Sequence, residues 1–376
     1  MLPEQELIVL CASPVRDASN CARIHEILDA SVDWELLQEE AWSHHLTPLV
    51  CWTLQEQAPA VVPPQLSADF LHNARKALML TSELTRVLDL MRANGIEALP
   101  FKGPTLAAMA FDNVALRSYD DIDFLVPRTH VWQAREILLA NGFSETVPLG
   151  PSRDNALLDS HDELVMRGPN GFPLLELHWS FIAPHYSVAM DPDVFRGRAT
   201  RVCIGDQSIP SLCPTDLFLV LCVHGAKHCW SRLNLLADLA WLMTHQAIDW
   251  PAVSARAREI RVERIALIAL LLVEKIFRLP MPLPMARGRV DSTAVKVAEQ
   301  IRESLFGQRH DEFAIVPTAR LYMRMRESFR DKLRFAFGLL TRPGLEDLQA
   351  ADLPEACNFL YRFRRVPRLV RKYWSA

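Results

Sequence analysis

At 376 residues the chain is long enough for two or three domains, or for one domain with a sizeable helical extension. Half of its residues are hydrophobic and 23% are charged, and a formal net charge of −4 gives no global pull towards nucleic acid or membranes. The longest apolar run, residues 265–273, is too short to span a bilayer, and Glu4 and Glu6 stand where a signal segment would begin with positive charge. A cytoplasmic protein with no membrane partner is therefore expected. The eight cysteines form no CxxC pair and read as reduced, mostly buried thiols.

In chain order, residues 22–30 and 34–42 have helical apolar spacing, and the proline-rich stretch 58–67 breaks the pattern. A long amphipathic helix is expected over 67–93. Its apolar stripe would run through Leu71, Ala74, Leu78, Leu84, Val87, Leu88 and Met91, with Gly95 stopping it. Residues 96–101 read as a short strand. Pro104 suits the first turn of a helix to about residue 111, and "DIDFLV" (121–126) is a second strand. Residues 129–143 form an amphipathic helix with Thr129 as candidate N-cap and Gly142 just past its end. The runs 162–167 and 174–181, joined by "GPNGFP", read as a β-hairpin.

After about residue 211 strand signals fade. "PTDLFLVLCVHGAKHCW", "RLNLLADLAWLMTHQ" and "PAVSARAREIRVERIALIALLLVEKIF" are three helical patterns. From Pro317 onward there are 13 Lys and Arg against 6 acids, a basic tail on an acidic chain that reads first as a solvated helix face. The fold class that follows is α+β: a small mixed β-sheet core flanked by N- and C-terminal helical regions, divided as 1–66, 67–210 and 211–376.

The chemistry gathers in "FKGPTLAAMAFDNVALRSYDDIDFLV" (101–126). Alternation along a strand turns Asp121 and Asp123 to one face, where two carboxylates repel unless a cation lies between them. Mg²⁺ sites are built from a few carboxylates and substrate phosphates, so the pair is a candidate metal anchor. Glu176 is the candidate third acid, because a lone carboxylate in the apolar strand "LLELHW" is costly to bury unless paired or metal-bound. His178 shares its face and would orient it or contact substrate. Gly103 lets backbone approach a ligand, and the helix start behind it offers N–H groups to phosphate, although Pro104 removes one donor. Lys102 and Arg117 add positive charge there, and Thr105 a hydroxyl. His224 and His228, four residues apart, lack a second ligand pair at zinc spacing. Polar packing, with Asp238 and Arg232 as partners, or a substrate contact is the reading for them.

These motifs, "KGPTLA", "RSYDDIDFLV" and "ELHW", with the later "HGAKHCWSRLNLLADLAWL", resemble the nucleotidyltransferase superfamily that shares the DNA polymerase β-type core. More narrowly, they resemble an uncharacterised bacterial nucleotidyltransferase family. Pro104 and Thr105 stand where small Gly or Ser residues are usual, and Glu176 where Asp is usual. The resemblance implies Mg²⁺-dependent transfer of a nucleoside monophosphate from an NTP (ATP among the candidates) to a hydroxyl. Asp121, Asp123 and Glu176 would be catalytic carboxylates of a two-metal site, with Lys102, Gly103, Thr105 and Arg117 at the nucleotide. The acceptor is open between small molecule, peptide, protein and RNA. A toxin-like tRNA nucleotidyltransferase and a non-catalytic nucleotide- or partner-binding module are the alternatives.

Overall fold

The computed structural model describes residues 1–169, 172–286, 291–307, 315–350, 353, 355–363, 365 and 368. Asn170 and Gly171 of the expected hairpin turn, and Arg364, Arg371 and Lys372 of the basic tail, lie outside the described residues. The described residues are mostly helical around a small five-stranded mixed sheet, with a separate two-stranded sheet, the α+β class expected.

Four helices open the chain: α1 (Pro3–Ala12), α2 (Ala18–Asp29), α3 (Trp34–Ser43) and α4 (Thr47–Gln57). Asp17 and Asp33 cap α2 and α3 by accepting from backbone N–H groups of the first turn. The long helix α5 (Pro64–Ala93) follows. Its buried line runs through Leu66, Asn73, Ala77, Leu80, Leu84, Val87, Leu88 and Met91. Leu71 and Leu78, expected on that line, are instead 54% and 63% exposed. They sit off the seven-residue rhythm that Leu66, Asn73 and Leu80 set, so the upper half of the helix turns them outward.

The sheet follows. β1 is the two-residue strand Leu99–Pro100, α6 is Gly103–Phe111, and β2 is Asp121–Leu125. Then come α7 (Val131–Ala140), β3 (Ser144–Glu145), α8 (Asp154–Ser160), β4 (Glu163–Arg167) and β5 (Leu174–His178). Thr129 lies in a 3₁₀ turn ahead of α7 and does not cap it, whereas Gly142 takes the left-handed conformation (φ +87°) just past its end. The strand order is β1-β2-β5-β4-β3. β2 and β5 run parallel, and the other neighbours are antiparallel. Sequence periodicity passed over β3 and α8, and also over the hairpin β6 (Thr200–Ile204) with β7 (Gln207–Ser211), which follows α9 (Pro192–Arg196). The two-residue β3 and the five-residue α9 carry too few residues for a period to show.

The C-terminal helices are α10 (Pro214–Lys227), α11 (Asn234–His245), α12 (Trp250–Glu259) and α13 (Glu263–Phe277), then α14 (Leu283–Ala286), α15 (Ser292–Ser304), α16 (Ile315–Met325), α17 (Phe329–Thr341) and α18 (Leu345–Gln349). The single helical pattern read across 251–277 is two helices. Arg261 adopts a left-handed conformation (φ +61°) between them, which ends α12 and lets α13 start in a new direction. Apolar residues of α1–α4 and of α10–α13 share one buried cluster, so helices from both ends of the chain close around the same core. The second cluster lines the other face of the sheet, with Ile122, Phe124, Leu175 and Leu177 under α5 and α7. Burying these apolar faces contributes roughly 25 cal/mol per Å² removed from water, which fixes the strand register and with it the polar face opposite.

Candidate functional site

The polar face of the sheet collects what the strands' alternation sends there. In the parallel pair, Asp123 lies opposite Glu176 and Leu125 opposite His178, and in the antiparallel pair Glu163 lies opposite His178. Asp121, Asp123, Glu176, His178 and Glu163 thus share one face across three strands. The buried side of β2, with Ile122 and Phe124 at 0% and 1% exposure, makes a one-residue slip of this register costly.

His178 sits among the carboxylates. Its Nε2 is 3.2 Å from Asp123 Oδ1 and 3.2 Å from Glu176 Oε2, and its Nδ1 is 3.4 Å from Glu163 Oε2. Phe101 meets the imidazole edge-on at 5.1 Å and holds it in place. Burial alone would discharge this imidazole. Hydrogen bonds to Asp123 and Glu176 overcome that and push its pKa up to about 10, so it is a cation at neutral pH.

Lys102 supplies the second internal cation, its Nζ bound directly to Asp123 Oδ1. Burial works against the charged ammonium, but Asp123, Glu176 and Asp121 together hold its pKa above the ordinary value. In return, Lys102 and His178 hold the carboxyl of fully buried Asp123 below the usual carboxylate range, against the cost of burial. Asp121 responds in the opposite sense: burial, then the charge of Asp123, raises it to about 7. Asp123 Oδ2 is buried and has no hydrogen-bond partner among the described residues.

The helix start below the strand is as the sequence suggested in one respect and not in another. Gly103 adopts φ +51°, and a Cβ there would lie 3.2 Å from the carbonyl oxygen of Asp121, so glycine lets α6 begin directly against the acidic strand. Thr105, by contrast, is fully buried and donates its hydroxyl to the Lys102 carbonyl at 2.8 Å. The hydroxyl serves the first helical turn.

Arg117 is committed elsewhere than expected. Its Nε and Nη2 donate to the two carboxylate oxygens of Asp238 at 2.9 and 3.0 Å, and Asn73 holds the loop by donating to the carbonyls of Ala115 and Arg117. Asp238 therefore pairs with Arg117 and not with His224 or His228, while Arg232 Nη1 lies 2.9 Å from His45 Nε2. His224, on α10, and His228, just past its end, are ring neighbours, 4.8 Å between centroids. Burial, reinforced by Lys102 and Lys227, depresses both, His228 to about 3, so they are neutral.

Three residues that sequence reading did not single out complete the site. Asp162 immediately precedes β4 and Glu163 opens it, and Lys227, at the end of α10, has its Nζ 3.8 Å from Asp162 Oδ2. Burial disfavours the Lys227 ammonium, yet Asp162 and Glu163 hold its pKa up. The signal for Glu163 was its place in "DELVMR", facing His178 once the hairpin is drawn. Lys227 is three residues after His224 on one helical face. Among the described residues, two groups bring ligand atoms within 4.8 Å of one another: Asp123, Glu176 and His178, and Asp162, Glu163 and His178. The site is therefore a basin of five carboxylates offset in part from within by one histidine and two lysines.

A sheet of this order, with an acid pair on one strand, a third acid in register beside it and a glycine helix start beneath, is an arrangement suited to holding a cation and a phosphate together. The family described as "uncharacterised nucleotidyltransferase" matches residues 30–278, about two-thirds of the chain, and the protein belongs to that family. A comparison with curated proteins found no match. No helix among the described residues is long and apolar enough to cross a membrane.

Proposed function

We propose that the protein transfers a nucleoside monophosphate from an NTP to an acceptor hydroxyl, with Mg²⁺ held by Asp121, Asp123 and Glu176. The observation that carries the reading is the in-register opposition of Asp123 and Glu176 on adjacent parallel strands, with Asp121 one pleat away, in a chain of this family. All the donors in that set are carboxylate oxygens, the ligand type a hard cation prefers, and the orphaned Asp123 Oδ2 fits such a partner. The metal, when bound, would offset the charge of the triphosphate.

The chain's own residues then divide the work. Gly103 admits phosphate close to backbone at the start of α6, and Lys102, beside it in the chain, supplies positive charge there. Arg117, tied to Asp238, acts by holding the loop ahead of β2, with its charge still close to the acids. Glu176, partly open at 22% side-chain exposure, takes the proton of the acceptor hydroxyl. The hydroxyl oxygen forms a bond to the α-phosphorus as the bond to the bridging oxygen breaks, and pyrophosphate leaves. His224 and His228, both neutral, are the candidates for hydrogen bonds to substrate from α10 and its C-terminal end. Eight unpaired cysteines are in keeping with a reducing, cytoplasmic setting.

The acceptor class remains small molecule, peptide, protein or RNA. Four arginines of the basic tail are engaged within the protein, whereas Arg320, Arg330, Arg334 and Arg362 are exposed. Arg326 is buried against Asp331, Arg342 donates to the Asp159 carbonyl, and Arg365 and Arg368 surround Asp347. The test is incubation with each NTP labelled at the α-phosphate, Mg²⁺ and a cell extract. Label should enter an acceptor with wild type and not with Asp121→Asn/Asp123→Asn. Equal labelling by both proteins would sink the reading. Calorimetric binding of Mg²⁺·NTP with no transfer to any acceptor would leave only a nucleotide-binding role.

A further inference from the structure

Near the C-terminal end of the chain, α17 carries a face that no other described residue covers. The helix packs inward through Asp331, Phe335 and Gly338. Asp331 pairs with Arg261 and with buried Arg326. Phe335 meets Tyr322 and Tyr186 at 4.7 and 5.7 Å. Gly338 lies so close to the turn after β5 that a Cβ there would come within 2.7 Å of His185 Cβ. The opposite side turns Phe329, Leu333, Phe337 and Leu340 to solvent, at 73%, 54%, 66% and 51% exposure. Steps of four, four and three residues put them on one stripe, about 16 Å long at the rise of an α-helix. Arg330 and Arg334 flank the stripe and are exposed, whereas Asp331, the one acid of the helix, is on the inward side. A helix on a soluble core normally does the reverse, burying its apolar side and showing its charges of both signs.

We propose that this face docks the protein on an anionic lipid surface, with the Phe and Leu side chains entering the headgroup–acyl boundary and Arg330 and Arg334 pairing with lipid phosphates. Charge complementarity selects this occupant. A second copy meeting the same face about a two-fold axis would bring four arginines together with no exposed acid on either helix to answer them. A nucleic-acid strand would suit the arginines, but a stripe half made of leucine gives bases no stacking surface at those positions. The contact is with the surface only, since no described helix can cross a bilayer. It is independent of the transfer reading, although α17 rests on the turn Pro184–Tyr186, a short step along the chain from His178.

The test is sedimentation of the full chain with vesicles of phosphatidylcholine, alone or mixed with phosphatidylglycerol. The protein should co-sediment only with the anionic vesicles, and less so as salt is raised. Combined Phe329→Ser, Leu333→Ser, Phe337→Ser and Leu340→Ser should weaken vesicle binding about tenfold or more. Because these side chains are exposed, its far-UV circular dichroism and unfolding midpoint should stay at wild-type values. Combined Arg330→Gln and Arg334→Gln, which leaves the stripe intact, should weaken binding and flatten its salt dependence. No co-sedimentation with either vesicle, or equal binding by wild type and stripe variant, overturns the proposal. So does a stripe-dependent dimer, or stripe-dependent binding of an RNA oligonucleotide, in place of lipid binding.

Discussion

Arg117 and Asp238 stand 121 residues apart in the chain and meet through two parallel hydrogen bonds of 2.9 and 3.0 Å, with side chains only 11% and 3% exposed. The pair ties the loop before the acidic strand β2 to helix α11. Removing either partner leaves the other charge buried and unanswered. Arg117→Ala and Asp238→Ala should each destabilise the fold by about 3 kcal/mol, and the double variant by clearly less than the sum. Denaturant unfolding of the four proteins measures this, and simple additivity would show the pair to be energetically idle. Arg117→Lys should rescue little, because a single ammonium cannot reproduce the fork.

Asp121 gives the site a pH dependence with a definite sign. Its folded pKa, raised to about 7 from the model-compound value of 3.8 by burial and then by Asp123, means that the folded chain prefers this carboxyl protonated. Ionising it costs stability progressively as pH rises from 3.8 to about 7, and the cost is constant above that. Asp121→Asn should therefore stabilise the metal-free protein above pH 7 by about 2 kcal/mol, with little effect in acid. In the same thermal scans, Mg²⁺ should raise the unfolding temperature of wild type more above that pH than below it, and of the variant hardly at all. A variant that melts below wild type at alkaline pH, or responds fully to Mg²⁺, would contradict this.

His178 acts in the opposite sense. Although burial disfavours its charge, Asp123 and Glu176 raise its folded pKa to about 10 from 6.5. Its stabilising contribution is fully present below pH 6.5 and is lost as pH climbs through 10. His178→Gln should cost about 3 kcal/mol in neutral or mildly acidic solution, and the gap from wild type should close towards pH 10. Urea midpoints collected across that range decide the matter, and a gap independent of pH would mean that the imidazole is neutral.

Two glycines should fail for different reasons. Gly103→Ala meets a left-handed backbone and the Asp121 carbonyl at 3.2 Å, so it should cost about 1–2 kcal/mol and displace the acidic strand. Nucleotide binding should suffer more than stability. Gly225→Ala puts a methyl 2.2 Å from Nε1 of fully buried Trp230, a rigid ring with no room to retreat, and should destabilise by about 3 kcal/mol. Calorimetric NTP titration beside thermal unfolding separates the two. A Gly103→Ala protein that binds nucleotide normally would remove the helix start from the site.

Much of the site could be read in the chain itself because each piece depends on a local period. Alternation alone puts Asp121 and Asp123 on one face, Pro104 marks a helix start, and Glu176 stands out among leucines. The parallel pairing of β2 with β5 then brings Asp123 opposite Glu176. Other roles have no local signal. Arg117 looked free for a phosphate until α11 supplied Asp238. His178 looked like an accessory until the register set it between Asp123, Glu176 and Glu163.

The sequence by itself determined the α+β class and the acidic strand with its glycine helix start, and it named three candidate carboxylates, each from a local pattern. Only the tertiary structure decided which charges neutralise one another inside the basin, that Asp162, Glu163 and Lys227 belong to it, and which side of α17 faces water. The physical reason is the same in each case. Hydrophobic periodicity states that a helix or strand has an apolar face, but burial and ion pairing are properties of what packs against that face. Those partners come from other elements, tens of residues away in the basin and 121 residues away for Arg117 and Asp238.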